Sequence, residues 1–276
     1  MSQSFSSSSL SNLALAAEAN MREAAALWGR LLGAKLHTSQ EADWFHSGVS
    51  LSMFNGVICA QLESDHIDEQ IEHLLKPFRD DGLPVTWLLG PTSRPNDLES
   101  RLIKHGLHLD QRLPAMMLDL QTLPMDEPLP SGITVKLVEN QHEMENWIHV
   151  VATGSGFPDF IATILLNLLR EHGYNASSAS RPYLALRDGE PVASSLLVPG
   201  GGIAGIYCVC TLENARRQGI GRTATIAALR DARDHGYRLA TLQSSEMGYR
   251  IYRRLGFQEV CTLTLYTLPA TTWSPS

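Results

Sequence analysis

The stretch QTLPMDEPLPSG, residues 121–132, carries three prolines and a closing glycine and interrupts every helical or strand pattern around it. It leaves two segments of similar length in a chain of 276 residues, each of ordinary domain size. The expected organisation is therefore a domain over 1–124, a linker over 125–132 and a second domain over 133–276.

Before the linker, Leu, Ala and Trp recur at helical spacing over 9–32. WFHSGVSLSMFNGVICAQLES reads as a hairpin turning at Asn55-Gly56, and HIDEQIEHLLKPFRD as an amphipathic helix. PVTWLLG is a short buried strand, a helix opens at Pro95 or Asn96 and stops at Gly106, and PAMMLDLQTL supplies a last strand. After the linker come a strand (ITVKLVE), two helices broken at Gly156-Phe157-Pro158, and three strands turning at Asp188-Gly189 and Gly200–Gly202. An alanine-rich helix, the strand LATLQSS, the short helix EMGYRIYRRLG and a final strand follow. A meander mixed with crossover helices indicates an α+β domain with a mixed sheet. The first half repeats the plan loosely in element order, which suggests an internal duplication.

A net charge of −7 argues against general nucleic-acid binding, which needs a broad basic face. No apolar run approaches the length of a membrane span. The opening MSQSFSSSSLSNLALAAEAN has no basic residue ahead of its apolar stretch and does not read as a secretory signal; its serine run reads as a frayed tail. The four cysteines, Cys59, Cys208, Cys210 and Cys261, do not make a disulfide framework, which fits a cytoplasmic setting. Cys208 and Cys210 in IYCVCT would share one strand face as packing residues, and no metal is expected.

Any anion must then be held locally, and one stretch is built for it. In ENARRQGIGRTATIAALRDARDHG, arginines and glycines stand directly before a long helix. A helix start presents unpaired N–H groups and partial positive charge, and glycines let a ligand approach the backbone, so the arrangement suits a phosphate or pyrophosphate. Neither the Lys-Ser/Thr of a P-loop nor the third glycine of a dinucleotide fingerprint is present.

Arg-x-x-Gly-x-Gly is instead the pattern of acetyl-CoA pyrophosphate binding. With IYCVCT before it and SSEMGYRIYRRLGF after it, the region from about Ile133 to Tyr266 resembles a GNAT-superfamily acyl-CoA N-acyltransferase domain. The resemblance implies two tandem GNAT-like domains, the first degenerate, each a mixed, mostly antiparallel sheet flanked by helices. It implies acetyl-CoA as cosubstrate, with Val209, Cys210 and Thr211 along the pantetheine arm. Arg217, Gln218, Gly219, Ile220, Gly221 and Arg222 would hold the pyrophosphate, and Arg216 would contribute charge. Tyr252 is implied as the general acid for the departing thiolate, and Ser245 stands where many relatives carry an Asn that bonds the pantetheine. Met247, Ile251 and Leu255 recur every four residues and are expected to face the core, while Gly248 leaves a bare face for the thiol end.

The base is not legible. Ala240 or its neighbours stand where several relatives carry a catalytic Glu, leaving Glu246, Glu213 and Asp159 as candidates and a water chain as the alternative. The acceptor is expected to be a primary amine of a small molecule or peptide, with Trp44, Phe45, Trp87, Phe157 and Phe160 as possible cleft aromatics. A monomer or homodimer without nucleic-acid or membrane partners is expected. In the first half, LLGPTSRPNDLESRL is read as the counterpart of the Arg-Gly loop, with prolines and acidic residues that disfavour phosphate. The alternative to an enzyme is a silent acetyl-CoA-binding sensor or scaffold.

Overall fold

The computed structural model describes residues 7–31, 33–63, 65–124, 129–172 and 179–270; the first serines of the predicted tail and linker residues 125–128 lie outside these. The chain order is α1 (Ser7–Leu31), β1 (Lys35–Thr38), β2 (Asp43–His46), β3 (Asn55–Ile58), α2 (Ile67–Asp80), β4 (Val85–Leu89), α3 (Leu98–Lys104) and β5 (His108–Asp119). It continues with β6 (Ile133–Leu137), α4 (Gln141–Ser155), α5 (Asp159–His172), β7 (Arg181–Arg187), β8 (Glu190–Gly200), β9 (Ile203–Thr211), α6 (Ile220–Asp234), β10 (Leu239–Gln243), α7 (Glu246–Leu255) and β11 (Gln258–Leu268). Helix α1 takes in Ser7–Ser9, which the serine-tail reading left out.

Contacts divide the described residues into two compact units, one that runs up to Ala115 and resumes at Glu259, the other from Met116 to Gln258. The chain leaves the first unit within β5 and returns to it within β11. Strand pairing, not the proline-rich interruption, therefore sets the units.

In the first unit the strand order is β1-β2-β3-β4-β11, with β3 and β4 parallel and the other pairs antiparallel. Helix α2 buries Ile67, Ile71, Leu74, Leu75 and Phe78, the stripe expected of an amphipathic helix on a sheet. Its core includes Val57, Trp87, Leu102 and Tyr266, whose hydroxyl donates to Glu99. The expected turn at Asn55-Gly56 is not a turn. Asn55 opens β3, and its buried amide donates to Val49 O, Leu51 O and Pro84 O while its oxygen accepts from Ser47 N. Gly56 lies in mid-strand because the Phe45 ring occupies the space of a Cβ, 2.7 Å from its position. Tertiary packing has here used a dipeptide that locally favours a hairpin.

In the second unit the order is β5-β10-β9-β8-β7-β6. The turns between β7, β8 and β9 fall where expected: Asp188 and Gly189 take φ of 52° and 91°, and Gly201 and Gly202 take 60° and 76°. The core gathers Met116, Leu118, Leu197, Ile206, Leu229, Leu242 and Phe257. Helix α4 is capped by Asn140, which accepts from Glu143 N, while Glu143 accepts from Glu139 N. Among the described residues no helix is long and apolar enough to cross a membrane.

Candidate functional site

The site is built where β9 leaves β10. Their parallel ladder is confined to Ala204/Ala240 and Gly205/Thr241, and its register does not continue along the remainder of β9 toward Thr211. On its other edge β9 pairs with β8, Leu196 facing Tyr207 and Ser194 facing Cys210, so Cys208 and Val209 together oppose Ser195. This is a β-bulge, and Cys208 takes a left-handed φ of 49° that non-glycine residues rarely adopt. Ser194 Oγ holds the bulge by donating to Cys208 O at 2.9 Å. Ser195 Oγ donates to Ala224 O at 2.9 Å, and Trp147 Nε1 donates to Ser195 O at 3.1 Å. The bulge interrupts the two-residue alternation on which a shared face for Cys208 and Cys210 depended.

The Arg-Gly loop follows. Arg217 (φ 62°) and Gly219 (φ 79°) are both left-handed, an alternation that turns successive N–H groups to one side. Gly219 is the N-cap of α6 with no side-chain cap, and the first intrahelical bond is Thr223 N to Gly219 O at 3.0 Å. The N–H groups of Ile220, Gly221 and Arg222 thus precede the helical ladder, at the positive end of the dipole. Gly221 is required by space, since a Cβ there would lie 2.7 Å from Thr211 Oγ1. Buried Ile220 anchors the loop among Ile133, Val192, Ala215 and Ala224. Arg216 proves to be a clamp: its Nε donates to Thr211 O at 3.1 Å and its Nη2 to Gly154 O at 3.5 Å. The Gln218 side chain is engaged with Asn214 O and Arg187.

Helix α7 brings Tyr252 to the same place. Ser245 caps it, accepting from Gly248 N at 3.3 Å, which explains that serine without a ligand. The expected core stripe is corrected: Met247 is 80% and Ile251 42% exposed, and of the three only Leu255 is buried. Tyr249 and Tyr252 pack against the core in their stead. A four-residue repeat drifts around a helix with 3.6 residues per turn, and the buried side falls on the tyrosines. Gly248 does not leave a vacant face, because a Cβ there would lie 2.7 Å from Cε2 of Tyr252. The glycine makes room for the ring, which also meets Phe257 edge-on at a centroid distance of 5.9 Å.

Burial pushes the Tyr252 phenol up to about 12, and the neighbouring Cys210 thiol adds to the rise. Burial also raises both thiols, Cys210 despite hydrogen bonds from Ser155 and Ser194, and Cys208 with a further contribution from Cys210. Neither cysteine is therefore a ready nucleophile at neutral pH. Val209 packs partly buried beside them. Among the described residues no cluster of His, Cys, Asp or Glu could hold a metal.

The carboxylates expected near the chemistry all lie on exposed turns. Glu246 and Asp159 are exposed in the first turns of α7 and α5, and Glu213 is exposed in the short turn after β9. Ala240 is fully buried. Phe45 and Trp87 are core residues, and Trp44 stacks on His37 at 3.8 Å; Phe160 is 47% exposed and Phe157 partly exposed. The sequence does not mark one polar group: Gln243, at the end of β10, has a buried Nε2, and its side chain hydrogen-bonds the Tyr207 hydroxyl. LATLQSS signals a strand, and nothing in it marks which polar residue will be covered.

The first unit repeats this plan without the loop. The β3–β4 ladder is confined to Gly56/Thr86 and Val57/Trp87, and Cys59, just after β3, takes φ 54° as Cys208 takes 49°. The counterpart of the Arg-Gly loop is thus the stretch 60–66 before α2, which correction moves it from LLGPTSRPNDLESRL. It carries Glu63 and Asp65, with Asp68 and Glu69 in the first turn of α2. Glu18 accepts from Thr92 N and Thr92 Oγ1, both at 2.9 Å, on the wall of a cavity of about 330 Å³ that includes Cys59. Its carboxyl is raised, chiefly by burial.

Residues 145–257 match the sequence model of the Acetyltransferase (GNAT) family. A solved GCN5-related N-acetyltransferase from Kribbella flavida superposes with a TM-score of 0.71 at 21% identity, over 92% of this chain and 97% of its own. One from Sphaerobacter thermophilus gives 0.62 at 17%, over 86% and 80%. A tandem GNAT protein from the clavulanic acid biosynthesis pathway gives 0.58 at 13%, over 85% and 79%. At these identities the likeness is one of fold. No curated protein matches the chain.

Proposed function

We propose, from the premise that this chain belongs to the GNAT acetyltransferase family through residues 145–257, that it transfers an acetyl group from acetyl-CoA to a primary amine of a small molecule or peptide. The observation that carries this reading is the Tyr252 phenol beside Cys210, at the bulge where β9 parts from β10 and one loop away from the α6 N-terminus. Pyrophosphate would rest on the main chain of Arg217–Arg222, and the pantetheine amides along Val209, Cys210 and Thr211.

A neutral amine forms the C–N bond at the thioester carbonyl, and a main-chain N–H near Val209 or Cys210 receives the oxyanion. The C–S bond then breaks, and Tyr252 passes its proton to sulfur. A phenol held up to about 12 keeps its proton at neutral pH. It can still donate, because the desolvation that raises Cys208 and Cys210 also makes a departing thiolate here more basic. The amine proton is assigned to solvent, since Glu246 is exposed where it offsets the α7 dipole. Glu246→Gln is therefore expected to fall well short of the ~10²-fold loss in kcat that removing a general base brings, in steady-state kinetics.

The test is thiol release from acetyl-CoA against a panel of amines, amino acids and short peptides. Binding without release from any acceptor would favour the sensor reading. We further propose that the first unit holds no CoA, because acidic residues occupy its counterpart loop and the Glu18 carboxyl sits at the end of β4. Calorimetry on the full chain is expected to give one CoA site, and two equivalent sites would overturn this.

A further inference from the structure

Beside the Arg-Gly loop, a second feature of α6 is unused by the chemistry above. A cavity of about 120 Å³ is lined by Leu129, Pro130, Gly219, Arg222, Ile226 and Arg230, among others. It is far larger than the ~10–15 Å³ that one water needs. Arg222 and Arg230 of α6 both line it, on either side of Ile226 in sequence, so two arginines of one helix border the same space.

Arg230 is the unusual member. Its Nε and Nη2 are buried without a hydrogen-bond partner among the described residues. The carboxylates near it on α6 are committed elsewhere: Asp231 binds Arg181 through both oxygens, one at 3.1 Å, and Asp234 faces Arg233 at 3.8 Å. Buried guanidinium donors left unmatched are costly, and a group with several acceptor oxygens and negative charge satisfies them with fork geometry. Gly219 lines the same cavity and is the cap of the proposed pyrophosphate loop, so the two anion sites are contiguous.

We propose that this cavity binds a phosphate monoester dianion through Arg230, with Arg222 beside it, and that its occupant is the ribose 3′-phosphate of coenzyme A. This rests on the acetyl-CoA reading above. It makes Arg230 a specificity residue that separates CoA from its 3′-dephospho form, with no part in the acyl transfer.

The test is calorimetry of the full chain with CoA and with 3′-dephospho-CoA, each with and without inorganic phosphate. The wild type is expected to bind CoA about tenfold or more tightly than 3′-dephospho-CoA, the size of one lost charge-assisted contact. Arg230→Gln is expected to weaken CoA by that factor, leave 3′-dephospho-CoA unchanged and so bring the ratio to about one. Equal affinity of the wild type for the two nucleotides would overturn the proposal while leaving the acetyl-CoA reading standing, and this comparison needs no variant to fold. Absence of binding by either nucleotide would overturn both. Phosphate binding that Arg230→Gln abolishes, with the two nucleotides bound equally, would make the cavity a site for free phosphate and overturn the assignment to CoA.

Discussion

Tyr252→Phe is expected to lower turnover by about 10² to 10⁴-fold while changing acetyl-CoA affinity little, because the proton is needed only as the thiolate leaves. The substitution keeps the ring that fills the space over Gly248 and meets Phe257, so the core of the second unit should be unaffected. Single-turnover kinetics with an accepted amine, alongside calorimetry, separates the two quantities. A wild-type rate with chemistry limiting would make Tyr252 a packing residue. The pH profile carries a second sign. A phenol pushed up to about 12 stays protonated, and competent as an acid, as pH rises through the ordinary tyrosine value of about 10. The descending limb of kcat due to this group is therefore expected above that value, and a loss of activity centred near 10 that vanishes in Tyr252→Phe would contradict the burial argument.

The double substitution Gly219→Val, Gly221→Val is expected to weaken CoA binding by about tenfold or more, as main-chain donors lose their approach to the pyrophosphate. The two glycines fail for different reasons. Gly219 has open space around its Cβ position but a φ of 79°, where a β-branched residue is strained by ~1–3 kcal/mol. Gly221 has an ordinary backbone, but its Cβ would press on Thr211 Oγ1 and push α6 away from β9. Calorimetry on a double variant shown by circular dichroism to be folded decides the matter, and unchanged affinity would remove the pyrophosphate assignment.

The Arg-Gly loop was legible because its chemistry is local: a backbone conformation, a helix start and charge are all encoded within a dozen consecutive residues. The strands turning at Asp188-Gly189 and Gly201-Gly202 were legible for the same reason, since positive φ restricts the residues that can serve. Asn55-Gly56 shows the limit. The same kind of signal was overruled by the buried bonds of Asn55 and the ring of Phe45, neither of which leaves a mark near the dipeptide. Helix α7 shows it again, because the spacing of Met247, Ile251 and Leu255 does not reveal which side of the helix will meet the sheet.

By itself the sequence determined the family resemblance, the order of nearly all elements, and the loop and tyrosine proposed for the chemistry. Each depends on residues close together along the chain. Only the tertiary structure decided that β11 pairs with β4 and not with the strands of the region in which it is encoded, and that Arg216 clamps Thr211 and Gly154. It alone brought the Tyr252 phenol beside Cys210, showed Ser245 as a cap, and left Arg230 with buried donors that find no partner among the described residues. Those outcomes depend on which surfaces exclude water together. That is set by packing between segments far apart in sequence, where a residue's local pattern carries no record of its partner.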